Sequence, residues 1–452
     1  MARAMCRQSR LDELTARHRV PGAVLGVLRA GTVETAATGI LNVETGVSAT
    51  PDSLFQIGSI TKVYTATLAL QLTDEGALDI DFPIAAVLPE LELGEPHAAA
   101  RVTMRHLLTH TSGIEGDHFI DVGRGDDVLE RYVRTCAGLG FSHPVGTTFS
   151  YCNTGYVIAG RAIEVLTGMT WDAALRERLL DPLGLHATVT LPEEVLRFRA
   201  AHGHTVGPDK PIKLAPAPML PRSTGPAGLI WATAADTLAF ARAHLEGTDV
   251  LSPASAAMMQ APQVELPDRW TLGSHWGLGW ILYDWDGRRV YGHDGATLGQ
   301  AAFLRVVPDA GVAVVLLTNG GNAHDLYEDL FRELLAELCG LSMPAPLAPE
   351  AKPPRVPVAE LTGLYERVGV RIELADRGGR LAGRVIATGP LAELDDDPVE
   401  ELAFVPVAPN VFVTRSDGEQ TWTPAVFFAL DDGSRYVHMG GRATPRIRGD
   451  AP

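Results

Sequence analysis

Strand-forming sequence at both ends of a long helical stretch is the feature that most narrows the fold of this 452-residue chain. A short amphipathic helix from Arg10 to His18 is closed by Pro21-Gly22, and "GAVLGVLRAG" and "TVETAATGILN" then read as paired strands turning at Gly31. From about Ile57 to Ala261 helical periodicity takes over. It runs through "KVYTATLALQLTDEG", "NTGYVIAGRAIEVLTG" and "TAADTLAFARAHLEG", each stopped by glycine. Strands return as "WGLGWILYD", "RRVYGHDG", "QAAFLRVVP" and "GVAVVLLTN", followed by a helix from about Ala323 to Leu338. The economical architecture is α+β: one antiparallel sheet assembled from both ends, with a helical lobe inserted between them. Taken as a single strand, "WGLGWILYD" puts Trp276 and Trp280 on one face and Tyr283 on the other.

The stretch "PAPLAPEAKPPRVP", Pro344 to Pro357, has the composition of a semi-rigid linker. Beyond it "GVRIELADRGGRLAGRVIA", "LAFVPVAPNVFVTRS" and "AVFFALDDGSRYVHMGG" alternate apolar and polar residues between Gly/Asp turns, which predicts a small all-β domain, a barrel or a curved sheet. The expected division is therefore 1–343, linker 344–357 and 358–452.

The net charge of −17, from 38 Lys+Arg against 55 Asp+Glu, repels nucleic acid and anionic membrane, so neither is an expected partner. The cysteines Cys6, Cys136, Cys152 and Cys339 lie far apart with no CxxC pair, which argues against a disulfide framework and fits a reducing compartment. Asp12 and Glu13 sit where a signal peptide is apolar, and no apolar run reaches the ~18 residues of a membrane span. A cytoplasmic location is the expectation. "HLLTH" lacks the glutamate of a zinc HExxH motif, and no cofactor or metal is expected.

Chemistry enters at "GSITK". Ser59 and Lys62 are three apart, so a helix starting near Ser59 projects both from one face. A hydroxyl becomes a nucleophile when a base removes its proton, and a lysine is such a base once burial lowers its pKa. Free N–H groups at a helix start offer part of an oxyanion hole. Two further motifs follow in order. They are Tyr151-x-Asn153 in "FSYCNTGYVIAG" and His293-x-Gly295 in "VYGHDGATLG", the latter on an expected edge strand. Cys152, between Tyr151 and Asn153, is expected to pack rather than react.

On these motifs the chain resembles the serine β-lactamase and penicillin-binding-protein superfamily, in the branch around class C β-lactamases. That branch also holds D-aminopeptidases, D,D-peptidases, family VIII esterases and the penicillin-binding-protein-type thioesterases that cyclise nonribosomal peptides. The resemblance runs from about Leu11 to Leu341 and includes "LLTHTSGI", "HPVGTTFSYCNTGY" and "GPAGLIWATAADTLAFA". It implies that Ser59 is acylated, that Lys62 hydrogen-bonds it, and that Tyr151 shuttles the proton; whether Lys62 or Tyr151 is the base stays open. It implies that Asn153 holds the lysine and the substrate amide. His293 and Gly295 stand at the Lys-Thr-Gly element, with oxyanion donors from the N–H of Ser59 and of Ala296 or Thr297. It also implies a lipocalin-like barrel after about Val358 that shapes or covers the entrance.

One departure stands out: histidine replaces the lysine of Lys-Thr-Gly, and is only partly charged near neutrality, so efficient β-lactamase activity is not expected. The implied function is a serine hydrolase or acyltransferase acting on an ester, amide or peptide, D-residues included. The alternatives are a thioesterase that cyclises a carrier-bound peptide, and a non-enzymatic sensor or binding protein on the same fold.

Overall fold

The computed structural model describes residues 2–207, 211–389, 392, 398–416 and 418–447, with the side chains of residues 2–6, Cys6 among them, outside that description. The larger unit is built on an eight-stranded antiparallel sheet. Its strands are β1 (Gly22–Arg29), β2 (Thr32–Gly39), β3 (Val264–Glu265), β4 (His275–Trp276), β5 (Ile281–Trp285), β6 (Arg288–Thr297), β7 (Gln300–Val307) and β8 (Val312–Thr318). They lie in the order β2-β1-β8-β7-β6-β5-β4-β3, so the N-terminal hairpin completes the sheet begun by the later strands. β1 pairs β8 in register from Ala23 with Thr318 to Arg29 with Val312.

The strand period of two divides the core. Ala23, Leu25, Val27, Val312, Val314 and Leu316 point to one side, where α1 (Ala2–Arg17) and α5 (Ala323–Cys339) cover them. Val24, Leu28, Ala313, Val315 and Leu317 point to the other, where the helical lobe lies. Each fully buried Val or Leu contributes about 1.5–3 kcal/mol. The lobe contains α2 (Thr61–Asp74), α3 (Asn153–Thr167) and α4 (Ala234–Glu246). α4 crosses β1 at Gly26, where a Cβ would stand 2.8 Å from Leu238 Cδ1 and 3.2 Å from the Ala234 Cβ. α2 is buried on all sides from Thr61 to Leu72, as expected of a helix with no polar face.

Three expectations need correction. α1 begins well before Arg10. "WGLGWILYD" is two strands, because Gly279 (φ +85°) turns the chain between β4 and β5. Trp276 and Trp280 therefore fall into opposite core clusters, and Tyr283 joins that of Trp276. β6 has strand partners on both sides only at Tyr291 and Gly292: it pairs with β5 from Arg288 to Gly292 and with β7 from Tyr291 to Thr297. The expected edge is thus found at His293 and continues to Thr297, where the β5 side is open.

After α5 the chain runs without regular structure through the proline-rich segment, with Leu341 and Met343 still buried in the larger unit. It then forms a meander of eight antiparallel strands: β9 (Gly363–Arg367), β10 (Val370–Asp376), β11 (Leu381–Ala387), β12 (Val399–Ala408), β13 (Val411–Thr414), β14 (Thr423–Ala429), β15 (Arg435–Met439) and β16 (Arg442–Pro445). A bridge between Tyr365 and Arg446, and Ile447 N–H donating to the Leu364 carbonyl at 2.8 Å, bring the last strand back to the first. The result is a nearly closed barrel around Tyr365, Leu374, Phe404, Phe412 and Phe427.

The barrel docks by backbone hydrogen bonds on two sides of one cavity. Tyr151 N–H donates to Gly441 O at 2.9 Å, and Ala443 N–H to Ser150 Oγ at 3.2 Å. On the far side Asp325, in the first turn of α5, accepts from the backbone of Gln420 and Thr421, each at 3.1 Å. Among the described residues no helix is long and apolar enough to cross a membrane.

Candidate active site

Ser59 lies in a 3₁₀ turn, Gly58–Ile60, that runs directly into α2. The turn brings Ser59 Oγ to 3.0 Å from Lys62 Nζ, as the three-residue spacing requires. Lys62 is fully buried. Its Nζ has two further partners, Asn153 Oδ1 at 2.7 Å and the Ala227 carbonyl at 2.6 Å. Both are acceptors, so a neutral amine gives them its two N–H bonds and turns its lone pair to the Ser59 hydroxyl. Burial pushes the lysine pKa well below its ordinary value; the Arg442 guanidinium pushes the same way, and Asp117 opposes them.

Tyr151 and Asn153 come from the segment that enters α3. Tyr151 is buried, and its ring centroid is 4.8 Å from Lys62 Nζ. Burial raises the phenol's pKa, while a hydrogen bond with Ser59 and the Arg442 charge work against that rise. Asn153 is the first residue of α3, its N–H tied to Gly116 O at 3.0 Å. Cys152 is the helix cap: its Sγ accepts from Gly155 N–H at 3.2 Å, and burial pushes its thiol up to about 12, so it stays protonated as expected of a packing residue.

The His293 end of β6 forms the opposite wall. His293 Nδ1 is 2.6 Å from the Asp294 carbonyl, so Nδ1 carries the proton and Nε2 presents a lone pair. Burial, with the charges of Lys62 and Arg305, lowers its pKa to about 3, and the ring is neutral near pH 7 rather than partly charged. Two glycines press Ser59 against this strand. A Cβ on Gly295 would stand 1.9 Å from Ile57 O and 2.9 Å from Ser59 N, and one on Gly58 (φ +52°) would be 2.6 Å from Ala296 N. The backbone nitrogens of Ser59 and Ala296 therefore lie close together where the Ser59 turn meets β6. Ser59, Tyr151, Asn153, His293, Gly295 and Ala296 all line a cavity of about 950 Å³; Thr297 is not among its lining residues.

Sequence reasoning missed four groups. His110, from "LLTHTSGI", stacks under the Tyr151 ring (4.2 Å between centroids) and accepts from Cys152 N–H through Nδ1 at 2.9 Å. Asp117 accepts from Asn153 Nδ2 at 3.0 Å. Arg367 and Arg442 of the barrel both reach Asp117, and Arg442 also lies over the Tyr151 ring at 5.1 Å. The motif around His110 was visible in the sequence, but contacts across hundreds of residues leave no local pattern.

The Beta-lactamase family model matches residues 8–337 of the chain. Penicillin-binding protein 4 of Amycolatopsis lactamdurans is 52% identical over 374 residues, which is 80% of this chain and 97% of that protein. The crystal structure of SurE with D-Leu is similar along the whole length, with a TM-score of 0.77 at 29% identity, covering 99% of this chain and 100% of that one. The D-amino acid amidase from Ochrobactrum anthropi SV3, complexed with D-phenylalanine, has a TM-score of 0.60 at 26% identity and covers 70% of this chain and 91% of its own. By its fold, its motif spacing and a family match over well more than half its length, the chain belongs to the Beta-lactamase family, whose members are serine β-lactamase-fold hydrolases.

Proposed function

We propose that the protein is a serine acyl-transfer enzyme that forms an ester on Ser59 from a peptide-like donor carrying a D-configured residue. The observation that carries this reading is the coordination of Lys62 Nζ, buried and spent on two acceptors, with only Ser59 left to face its lone pair. Lys62 takes the Oγ proton as Ser59 attacks the carbonyl carbon. The carbonyl oxygen becomes an oxyanion between the nitrogens of Ser59 and Ala296. Tyr151, kept as a neutral phenol by burial, passes the proton to the leaving group as the carbon–heteroatom bond breaks. Attack on the ester by water or an amine, with the proton route reversed, frees Ser59.

Asn153 and His293 complete the donor's pocket, Asn153 beside the lysine and His293 with its Nε2 lone pair free for an N–H donor. A neutral histidine gives no fixed cation for a β-lactam carboxylate, which supports a substrate other than a β-lactam. The D-configuration is supported by the ligands in the names of two similar structures, SurE with D-Leu and the amidase with D-phenylalanine. Apolar residues lining the cavity, Phe119, Leu220, Trp270 and Val368, suit apolar side chains of a peptide.

The test is a matched panel of D- and L-aminoacyl and dipeptidyl p-nitrophenyl esters, with and without an added amine. The expected result is a higher kcat/KM for D-configured donors, and transfer to the amine marks a preference for an amine acceptor over water. Turnover confined to L-donors would reject the stereochemical part of the reading.

A further inference from the structure

The link between the barrel and the lysine runs through one carboxylate. Asp117 is largely buried in the cavity wall and accepts four hydrogen bonds. Arg442 gives it a fork, Nε to Oδ2 at 2.8 Å and Nη2 to Oδ1 at 3.0 Å. Arg367 Nη1 reaches Oδ2 at 2.8 Å, and Asn153 Nδ2 reaches Oδ1 at 3.0 Å. Burial alone would raise the Asp117 pKa, but the two guanidiniums hold it down to about 2, so it is a carboxylate under all working conditions.

A carboxylate only accepts. Asp117 therefore takes the amide NH₂ of Asn153 and leaves Oδ1 pointing to Lys62. The side-chain amide is symmetric in shape, and without an acceptor-only neighbour it has no fixed choice between its two orientations. With Nδ2 turned to Lys62, the lysine would lose an acceptor and its lone pair would no longer be directed at Ser59.

We propose that Asp117 is a positioning residue of the acyl-transfer site, and that the barrel holds it in place through Arg367 and Arg442, so the larger unit alone does not present a complete site. This rests on the reading of Ser59 as the nucleophile. It assigns the barrel a part in the chemistry as well as in covering the entrance. One of the two barrel charges, Arg442, also bears on the proton pathway with opposite sign to Asp117. Arg442 favours neutral Lys62 and ionised Tyr151, and Asp117 disfavours both. The other ionisable groups facing this pair are His110 and His293, held neutral by burial, Tyr156, kept a phenol by burial with its ring 5.5 Å from Lys62 Nζ, Cys152, held as a thiol, and Asp294, paired with Arg305. Glu115 stands behind, accepting from Val368 N–H of the barrel.

The experiment measures kcat/KM for p-nitrophenyl acetate against pH in full-length wild type, Asp117→Asn, Arg442→Gln and Arg442→Lys, with the melting transition of each. The acid limb reports the Lys62–Tyr151 pair as a unit. Asp117→Asn is expected to lower the plateau about 10²-fold through misplaced groups and to move the limb to lower pH. Arg442→Gln is expected to move the limb to higher pH, and Arg442→Lys to return it toward wild type. Displacements in opposite directions are not produced by a loss of folded protein. Wild-type limbs in folded Asp117→Asn and Arg442→Gln overturn the proposal, as does a rate loss that only tracks the melting transition. If Asp117→Asn does not fold, an unmoved limb in Arg442→Gln is sufficient to reject it. Intact-mass detection of the acetyl group on wild-type Ser59 separates the two claims: an adduct there with unchanged variants removes this proposal alone, and no adduct on Ser59 removes both.

Discussion

Asp294 and Arg305 sit on neighbouring strands, β6 and β7, and form an ion pair in which Arg305 is buried and Asp294, partly exposed, lines the cavity, with Arg305 Nη2 3.0 Å from Asp294 Oδ2. The guanidinium is enclosed by Tyr283 and Tyr327, at 4.6 and 4.8 Å from their ring centroids. This pair accounts for the middle residue of His-Asp-Gly: Asp294 anchors the strand on which His293 and Ala296 stand. Breaking one side of a buried pair leaves the other charge unpaired and costs about 3–5 kcal/mol. Arg305→Met is therefore expected to lower the unfolding free energy from urea denaturation by up to that order, and Asp294→Asn with Arg305→Met together to cost less than the sum of the singles. Additive losses in a denaturation cycle would show that the pair does not act as one.

Lys62 and Tyr151 are expected to fail together. Lys62→Ala and Tyr151→Phe each remove a proton-transfer group and lower kcat on the order of 10²–10⁴-fold. The double variant should be little worse than the poorer single, because residues acting as a unit are not additive. Single-turnover rates of all three check this, and a product of the two losses in the double variant would count against a shared proton network.

This pair also shows what a sequence can carry. Ser59 and Lys62 were legible because one helical turn joins them, and Tyr151-x-Asn153 because the segment entering α3 presents both residues to the same cavity. The sheet was legible because its strands alternate or run apolar over whole segments. The turn at Gly279 reads as strand in the sequence, because Gly277 and Gly279 on either side of Leu278 resemble strand interruptions more than a reversal. Asp117 and Arg442 could not be paired, since 325 residues separate them and the pairing depends on how the barrel docks.

Acid sensitivity follows from buried histidines, His110 among them. His244, His293 and His438 are each lowered to about 3, burial being the first cause in every case. An unfolded histidine binds its proton near pH 6.5. Between about pH 6.5 and 3 the unfolded state holds more protons, so stability rises with pH there and falls on acidification, by up to ~1.4 kcal/mol per pH unit for each histidine. The contribution is fully present above about pH 6.5. Urea midpoints at pH 7.5 and 5.0 should show this loss, and His438→Gln should reduce it. An equal pH dependence in wild type and His438→Gln would contradict burial of a neutral ring at that position.

The account stands or falls on the Ser59 hydroxyl. The most direct measurement is intact-mass analysis after exposure to a fluorophosphonate or a penicillin, on wild type and Ser59→Ala, with peptide mapping of any adduct. The expected result is one adduct per wild-type chain, located on the peptide containing Ser59, and neither adduct nor turnover in a Ser59→Ala protein that melts like wild type. Labelling and turnover that persist in folded Ser59→Ala would contradict it, and would place the nucleophile elsewhere.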